Sequence, residues 1–172
     1  MTEKFKILGQ YIKDMSSETP DIETFLFVRE RISKYQLDID IKSNAIKNQM
    51  IEVNTSFKFI DKEESKKKSH FEIIFATIIK VNEDVKTKEE LEKIILCDLQ
   101  IKIYPTLEKS LLNILHSSGY PEVKFEKKVD FENLYKQKFN SNNFSLNNFL
   151  NILYVFLFLH LKVKLLFYNI QF

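Results

Sequence analysis

The sequence predicts an α+β fold: a four-stranded antiparallel sheet with two main helices on one face. Three observations lead there. Apolar and polar residues alternate through the first half of the 172-residue chain, then shift to helical spacing after residue 87. The strand patterns are joined by short polar connections, which suit an antiparallel meander. Strands come first and helices after, so the helices pack on one side of the sheet.

Each element has its own signature. Residues 5–13 read as the first strand. It gives way to YIKDMSSETPDIETF, an acidic, hydroxyl-rich stretch closed by Pro20, where Asp14, Glu18 and Asp21 gather. By residue type this is either a strand end with a solvated turn or a surface for a basic partner. Residues 35–47 alternate, with Leu37, Ile39 and Ile41 on one face and Asp38, Asp40 and Lys42 on the other. Residues 50–60 repeat the pattern through Ile51, Val53, Thr55, Phe57 and Phe59. A polar tip over 61–69, with Lys66, Lys67 and Lys68, leads to HFEIIFATIIKV at 70–81. That strand is apolar on both faces and needs cover: ordinary burial, a second copy, or an extended peptide laid in an apolar groove.

Thr87 and Glu90 make a capping box. Leu91, Ile94, Ile95, Asp98 and Leu99 follow with helical spacing. Pro105 is expected to interrupt this helix. A second helix over 106–117 presents Leu107, Leu111, Leu112, Ile114 and Leu115, and Gly119 closes it. After an extended YPEVKFEKKV, Asp130 caps a short final helix. Residues 1–139 form the predicted domain. Residues 140–172 form an apolar, low-complexity tail. Its run from 149 to 161 is short of the ~20 residues that span a bilayer, and extension to Tyr168 takes in Lys162 and Lys164. An interfacial segment, a marginal anchor and a stretch that adds no fold all fit.

Composition narrows the function. Two glycines and three prolines leave no G-x-G-x-x-G or Walker pattern. The tail holds two lysines and no acid, so residues 1–139 carry 24 basic and 24 acidic groups. A balanced body argues against a nucleic-acid surface. The single cysteine, Cys97, allows no intrachain disulfide and suits a reducing compartment. It falls in a helical pattern, as a small core hydrophobe would. MTEKFKILGQ has no long apolar stretch after a basic start, so a cytoplasmic protein is expected. His70, His116 and His160 lie far apart, and no H-x-x-H or C-x-x-C occurs, so no metal or other cofactor is expected. Asp38 and Asp40 read as outward, solvated residues. No nucleophile, base and oxyanion site assemble. With 16 Phe and 7 Tyr, the chain reads as a binder rather than an enzyme.

Three blocks in order carry a resemblance: YIKDMSSETPDIETF, then QLDIDI, then YPTLEKSLLNILHSSGYPEVKFEKKVDFENLY. Over residues 5 to about 138 the chain resembles the bacterial protein-export chaperone SecB family. The resemblance implies a homotetramer, a dimer of dimers, that holds unfolded preproteins in apolar grooves without ATP. It implies delivery of those clients to the SecA ATPase. Asp14 and Glu18 match acidic positions that meet SecA, with Glu72 nearby. Leu37, Ile39, Phe71, Phe75 and Tyr104 match groove or sheet positions that touch clients. The chain departs from the family pattern in several places. Arg31 stands roughly where a Trp is usual, Ile74 where a Glu is common, and Thr106 follows Pro105 in place of an aromatic. The body is neutral rather than acidic, and the tail is apolar. Two other readings stay open: a SecB-like chaperone dedicated to one client such as an antitoxin, and a membrane-attached interaction protein using the tail. Membrane contact is otherwise expected to be indirect.

Overall fold

The alternating segments all become strands of one sheet. The computed structural model describes residues 3–63 and 67–144. Strands β1 (Phe5–Glu18), β2 (Gln36–Ala45), β3 (Met50–Ile60) and β4 (His70–Val81) form an antiparallel sheet in the order β1-β4-β3-β2. Helix α1 (Ile22–Arg31) crosses between β1 and β2. Helices α2 (Lys88–Lys93), α3 (Leu99–Ser117) and α4 (Phe131–Phe144) follow the strands. The predicted tail overlaps α4 as far as Phe144; from residue 145 onward it lies outside the described residues.

Register sorts the side chains into two faces. Directly paired residues share a face, so Leu37, Phe59 and Phe71 form one rung, Ile39, Phe57 and Ile73 the next, and Ile41, Thr55 and Phe75 the third. These face the helices. Ile39, Phe57, Phe71 and Ile73 are fully buried there against Leu99, Ile103, Leu107 and Leu111. The apolar positions of α3 recur at three and four residues, which sets them on one stripe.

Three features differ from the sequence reading. β1 continues to Glu18, five residues past the expected end, because β4 supplies backbone partners all the way to His70. Its polar side chains are tolerated since β1 is an edge strand with one solvated face. α1 was absent from the sequence reading. Asp21 caps it, its Oδ1 accepting the Thr24 amide at 2.6 Å. Pro105 does not break the helix: α2, a π segment at Ile94–Asp98, and α3 run on as one rod with Pro105 inside. Pro105 removes the amide that would reach the Ile101 carbonyl. Ile101 is on the exposed side of the rod, so water can serve that carbonyl.

The π segment has its own compensation. Gln100, buried to 1% exposure, donates from Nε2 to the Ile95 carbonyl at 2.9 Å and accepts from Thr55 Oγ1 at 3.1 Å. One side chain thus satisfies the irregular turn and a buried strand hydroxyl together.

The capping expectations hold. Glu90 N–H donates to Thr87 Oγ1 at 3.2 Å, and Asn133 N–H to Asp130 Oδ1 at 2.9 Å. Gly119 ends α3 with φ +96°, while Tyr120 N–H returns to the Leu115 carbonyl at 3.1 Å. This is a Schellman closure. A Cβ at Gly119 would lie 2.7 Å from Phe25 Cε2. Glycine is required there twice over, for the dihedral and for the space.

Candidate functional site: an aromatic row beneath α1

The first rung of the sheet carries more than core. Phe59 and Phe71 meet Tyr35 at centroid distances of 5.4 and 6.3 Å. Phe71 then meets Tyr120 at 5.4 Å, and Tyr120 meets Phe25 of α1 at 5.4 Å. Phe125 closes the other end against Phe59 at 5.7 Å. Six rings form a continuous row across the sheet. Its cover there is α1 and the irregular stretch after Gly119. Deeper in, Tyr104 sits between Phe57 and Phe131 at 5.7 and 5.6 Å.

Few polar groups enter the row, and they partner one another. Ser69 N–H donates to Tyr35 Oη at 3.3 Å, and Ser69 Oγ lies 3.4 Å from Tyr120 Oη. Burial pushes the Tyr35 phenol up. Burial and the Glu108 carboxylate push Tyr104 to about 12. Both phenols stay neutral and serve as apolar surface with a polar tip.

The structure puts four of the five sequence-predicted client residues on this sheet face and Tyr104 on α3 packed against it, but covers most of them. Ile39, Phe71, Phe75 and Tyr104 are buried; Leu37 is half-buried at the β2 edge. Sequence reading missed Phe25, Tyr35, Phe59, Tyr120 and Phe125. Their signal was the aromatic richness itself, without a spacing rule, because the row is assembled from five separate segments.

The predicted acids share the opposite face. Asp14, Ser16 and Glu18 pair with Ile74, Glu72 and His70. Asp14 and Glu18 are exposed. Glu72 is engaged: Ser56 Oγ donates to it at 2.8 Å, Lys58 Nζ lies at 3.2 Å, and His70 Nε2 at 3.3 Å. Burial would raise its carboxyl, but Ser56 and Lys58 outweigh that and hold it low. Glu52 on the same face is gripped further. Lys13 Nζ and Tyr11 Oη both reach its Oε1 at 3.0 Å, across β4 at the small Ala76. Lys13 leads in holding it down at about 2. Asp40, expected to be solvated, is half-buried beside Lys42 at 3.1 Å. Cys97 is buried, and burial raises its thiol. Among the described residues, no three His, Cys, Asp or Glu side chains gather to hold a metal, and no helix is long and apolar enough to cross a membrane.

A buried aromatic row thus lies beside a polar sheet face, and comparison with known proteins gives the family. The family described as Preprotein translocase subunit SecB matches residues 1–142. The chain belongs to the SecB family. That is a family of protein-export chaperones and not of enzymes. A SecB protein-export relative from Pelagibacter ubique is 61% identical over 140 residues, which is 81% of this chain and 100% of that protein. The protein-export protein SecB of Bradyrhizobium diazoefficiens is 23% identical over 134 residues, covering 78% and 81%. Among solved structures, a Mycobacterium tuberculosis SecB-like chaperone, in complex with a ChAD peptide from an antitoxin, superposes with a TM-score of 0.53. It is 12% identical and covers 73% of this chain and 91% of that one. At that identity the likeness gives the SecB fold: a four-stranded antiparallel sheet with helices.

Proposed function

We propose that this SecB-family chain is an ATP-independent holdase. It binds apolar stretches of unfolded preproteins in the cytoplasm, on the face that holds the aromatic row, and delivers them to the SecA ATPase. The observation that carries the reading is the row itself: six contiguous rings covered by α1 and the irregular stretch after Gly119. Flat rings accept many apolar side chains at ~25 cal/mol per Å² buried, which rewards area over sequence. Phe71, Phe75, Ile39 and Leu37 line that sheet face, Tyr104 of α3 packs onto it, and these are the groups a client would meet.

Assembly as a homotetramer fits the edge strand. β1 leaves Leu8, Tyr11, Ile12 and Met15 exposed, each by 46–55%, and an uncovered apolar edge invites pairing. SecA contact falls to Asp14 and Glu18, whose carboxylates stand in solvent on one sheet face; Glu72, engaged with Lys58 and His70, contributes shape more than free charge.

The test is native mass spectrometry with and without a denatured preprotein, together with an aggregation assay. A tetramer that takes up client and keeps it soluble supports the reading. A monomer that leaves the client to aggregate at the buffer rate overturns it. The antitoxin peptide held by the M. tuberculosis neighbour supports a second reading, a chaperone dedicated to one client. Protection of several unrelated denatured proteins rules that out.

A further inference from the structure

The client face is shut in this conformation: Phe71 and Tyr120 have no exposure at all, and Tyr35 has 6%. We propose that α1 is a lid on the row, latched at both ends by ion pairs to the β3–β4 connection, and that client loading waits on release of those latches. This rests on the holdase reading above and adds its control.

The latches are specific. At the C-terminal end of α1, Arg31 Nε and Nη2 reach Asp61 Oδ2 at 3.2 and 2.9 Å, and Nη2 also reaches Glu63 Oε2 at 2.5 Å. Asp61 is itself fixed by the Glu63 amide at 3.0 Å. Lys34 adds a longer contact to Glu63 at 3.7 Å. At the N-terminal end, Lys67 Nζ reaches Glu23 Oε2 at 2.8 Å. Both acceptors at the C-terminal end follow β3 directly, and Lys67 precedes β4, so one connection holds both ends of one helix.

Packing and charge both hold the closed state. α1 buries Thr24 and Val28, and its Phe25 and Phe27 pack against the core. Its apolar residues are not confined to the underside. Val28 is fully buried and Phe25 caps Tyr120, yet Ile22 and Leu26 stand out in solvent, 68% and 53% exposed. A helix greasy on both sides gains less from lying down than one with a single apolar stripe. The ion pairs add to that packing, and a state that is only fractionally open lowers apparent client affinity by that fraction.

The partly exposed arms, Glu23–Lys67 and Arg31–Glu63, are screened by salt, whereas Asp61, 4% exposed, is screened less. Client loading should therefore quicken as salt rises. The experiment uses the full chain and a denatured fluorescent preprotein in stopped flow. Arg31→Met with Asp61→Asn removes one latch without stranding a buried charge. It should load about fivefold faster or more and lose the part of the salt acceleration that the Arg31 arm supplies, the Glu23–Lys67 arm keeping the rest. Glu23→Gln, on the surface, should move the rate in the same direction and stands alone if the double variant fails to fold. Glu23→Cys with Lys67→Cys, bridged by a short bismaleimide, should load more slowly than its unbridged form; Cys97 is buried and spared. Equal rates with and without the bridge overturn the lid. If every form, latched or not, leaves the client to aggregate, the holdase reading fails instead.

Discussion

Replacing Gly119 by alanine puts a methyl group 2.7 Å from Phe25 Cε2 and 3.1 Å from its Cζ, on a backbone with φ +96°. Two costs add. A residue with a Cβ loses about 1–3 kcal/mol at such a dihedral. The ring must also move from Tyr120, whose centroid lies 5.4 Å away, forfeiting about 0.5–1.5 kcal/mol of aromatic contact. The sum is about 2–4 kcal/mol. For a domain of this size that lowers Tm by roughly 6–15 °C. The assay is urea and thermal unfolding by circular dichroism at one fixed protein concentration, since assembly would shift both. A double-mutant cycle with Phe25→Ala separates the two costs. In the Phe25→Ala background the alanine at 119 should cost about 1 kcal/mol less, because the clash is gone while the dihedral remains. A Gly119→Ala variant within 0.5 kcal/mol of the parent, or a cycle without coupling, refutes the reasoning about this corner.

Other perturbations give further checks. Gln49→Gly should stabilise by about 0.5–1 kcal/mol, since Asn48 and Gln49 hold φ 62° and 60° at the β2–β3 turn and glycine takes that conformation freely; a urea midpoint that falls would contradict this. Gln100→Leu should cost about 1–3 kcal/mol, because Thr55 and the Ile95 carbonyl both lose a buried partner; equilibrium unfolding measures it. Glu52, depressed to about 2, contributes stability that is fully present above the unfolded carboxylate range. It is lost as pH falls from about 4.5 toward 2. Glu52→Gln should flatten the acid side of the stability profile in that window, read as Tm against pH. Asp14→Lys with Glu18→Lys should weaken SecA binding at low salt; an unchanged titration curve removes both from the interface.

Much of the architecture could be read from residue order. Period-two alternation marked β2, β3 and β4, and residues such as Thr87 and Asp130 capped the helices they were expected to cap. What escaped was set by tertiary context. β1 runs through Ser16, Ser17 and Glu18 because β4 offers hydrogen bonds there, and no local preference announces that. α1 holds Ile22, Phe25, Leu26, Phe27 and Val28 around its circumference, so its apolar positions give no clean stripe. Pro105 is an honest breaker signal that a solvent-facing carbonyl neutralises. The acids Asp14, Glu18 and Glu72 do gather on one sheet face, as their strand parity implies. The ion pair of Glu72 with Lys58, fourteen positions back and opposite it on β3, depends on strand register and could not be seen along the chain, whereas His70 stands two positions away on β4 itself.

The π segment at Ile94–Asp98 carries a consequence for how this chain can change over time. It accommodates one residue more than a regular helix would in the same length. Deleting one residue in that turn would restore ordinary hydrogen bonds and leave the downstream helix facing as before, whereas a deletion in the regular part of the rod would turn everything beyond it by about 100°. Leu107, Leu111 and Leu115 would keep their place on the sheet in the first case and swing off it together in a deletion just ahead of them. The surplus residue therefore marks the one turn of this rod at which descendants can shorten it without rebuilding the interior.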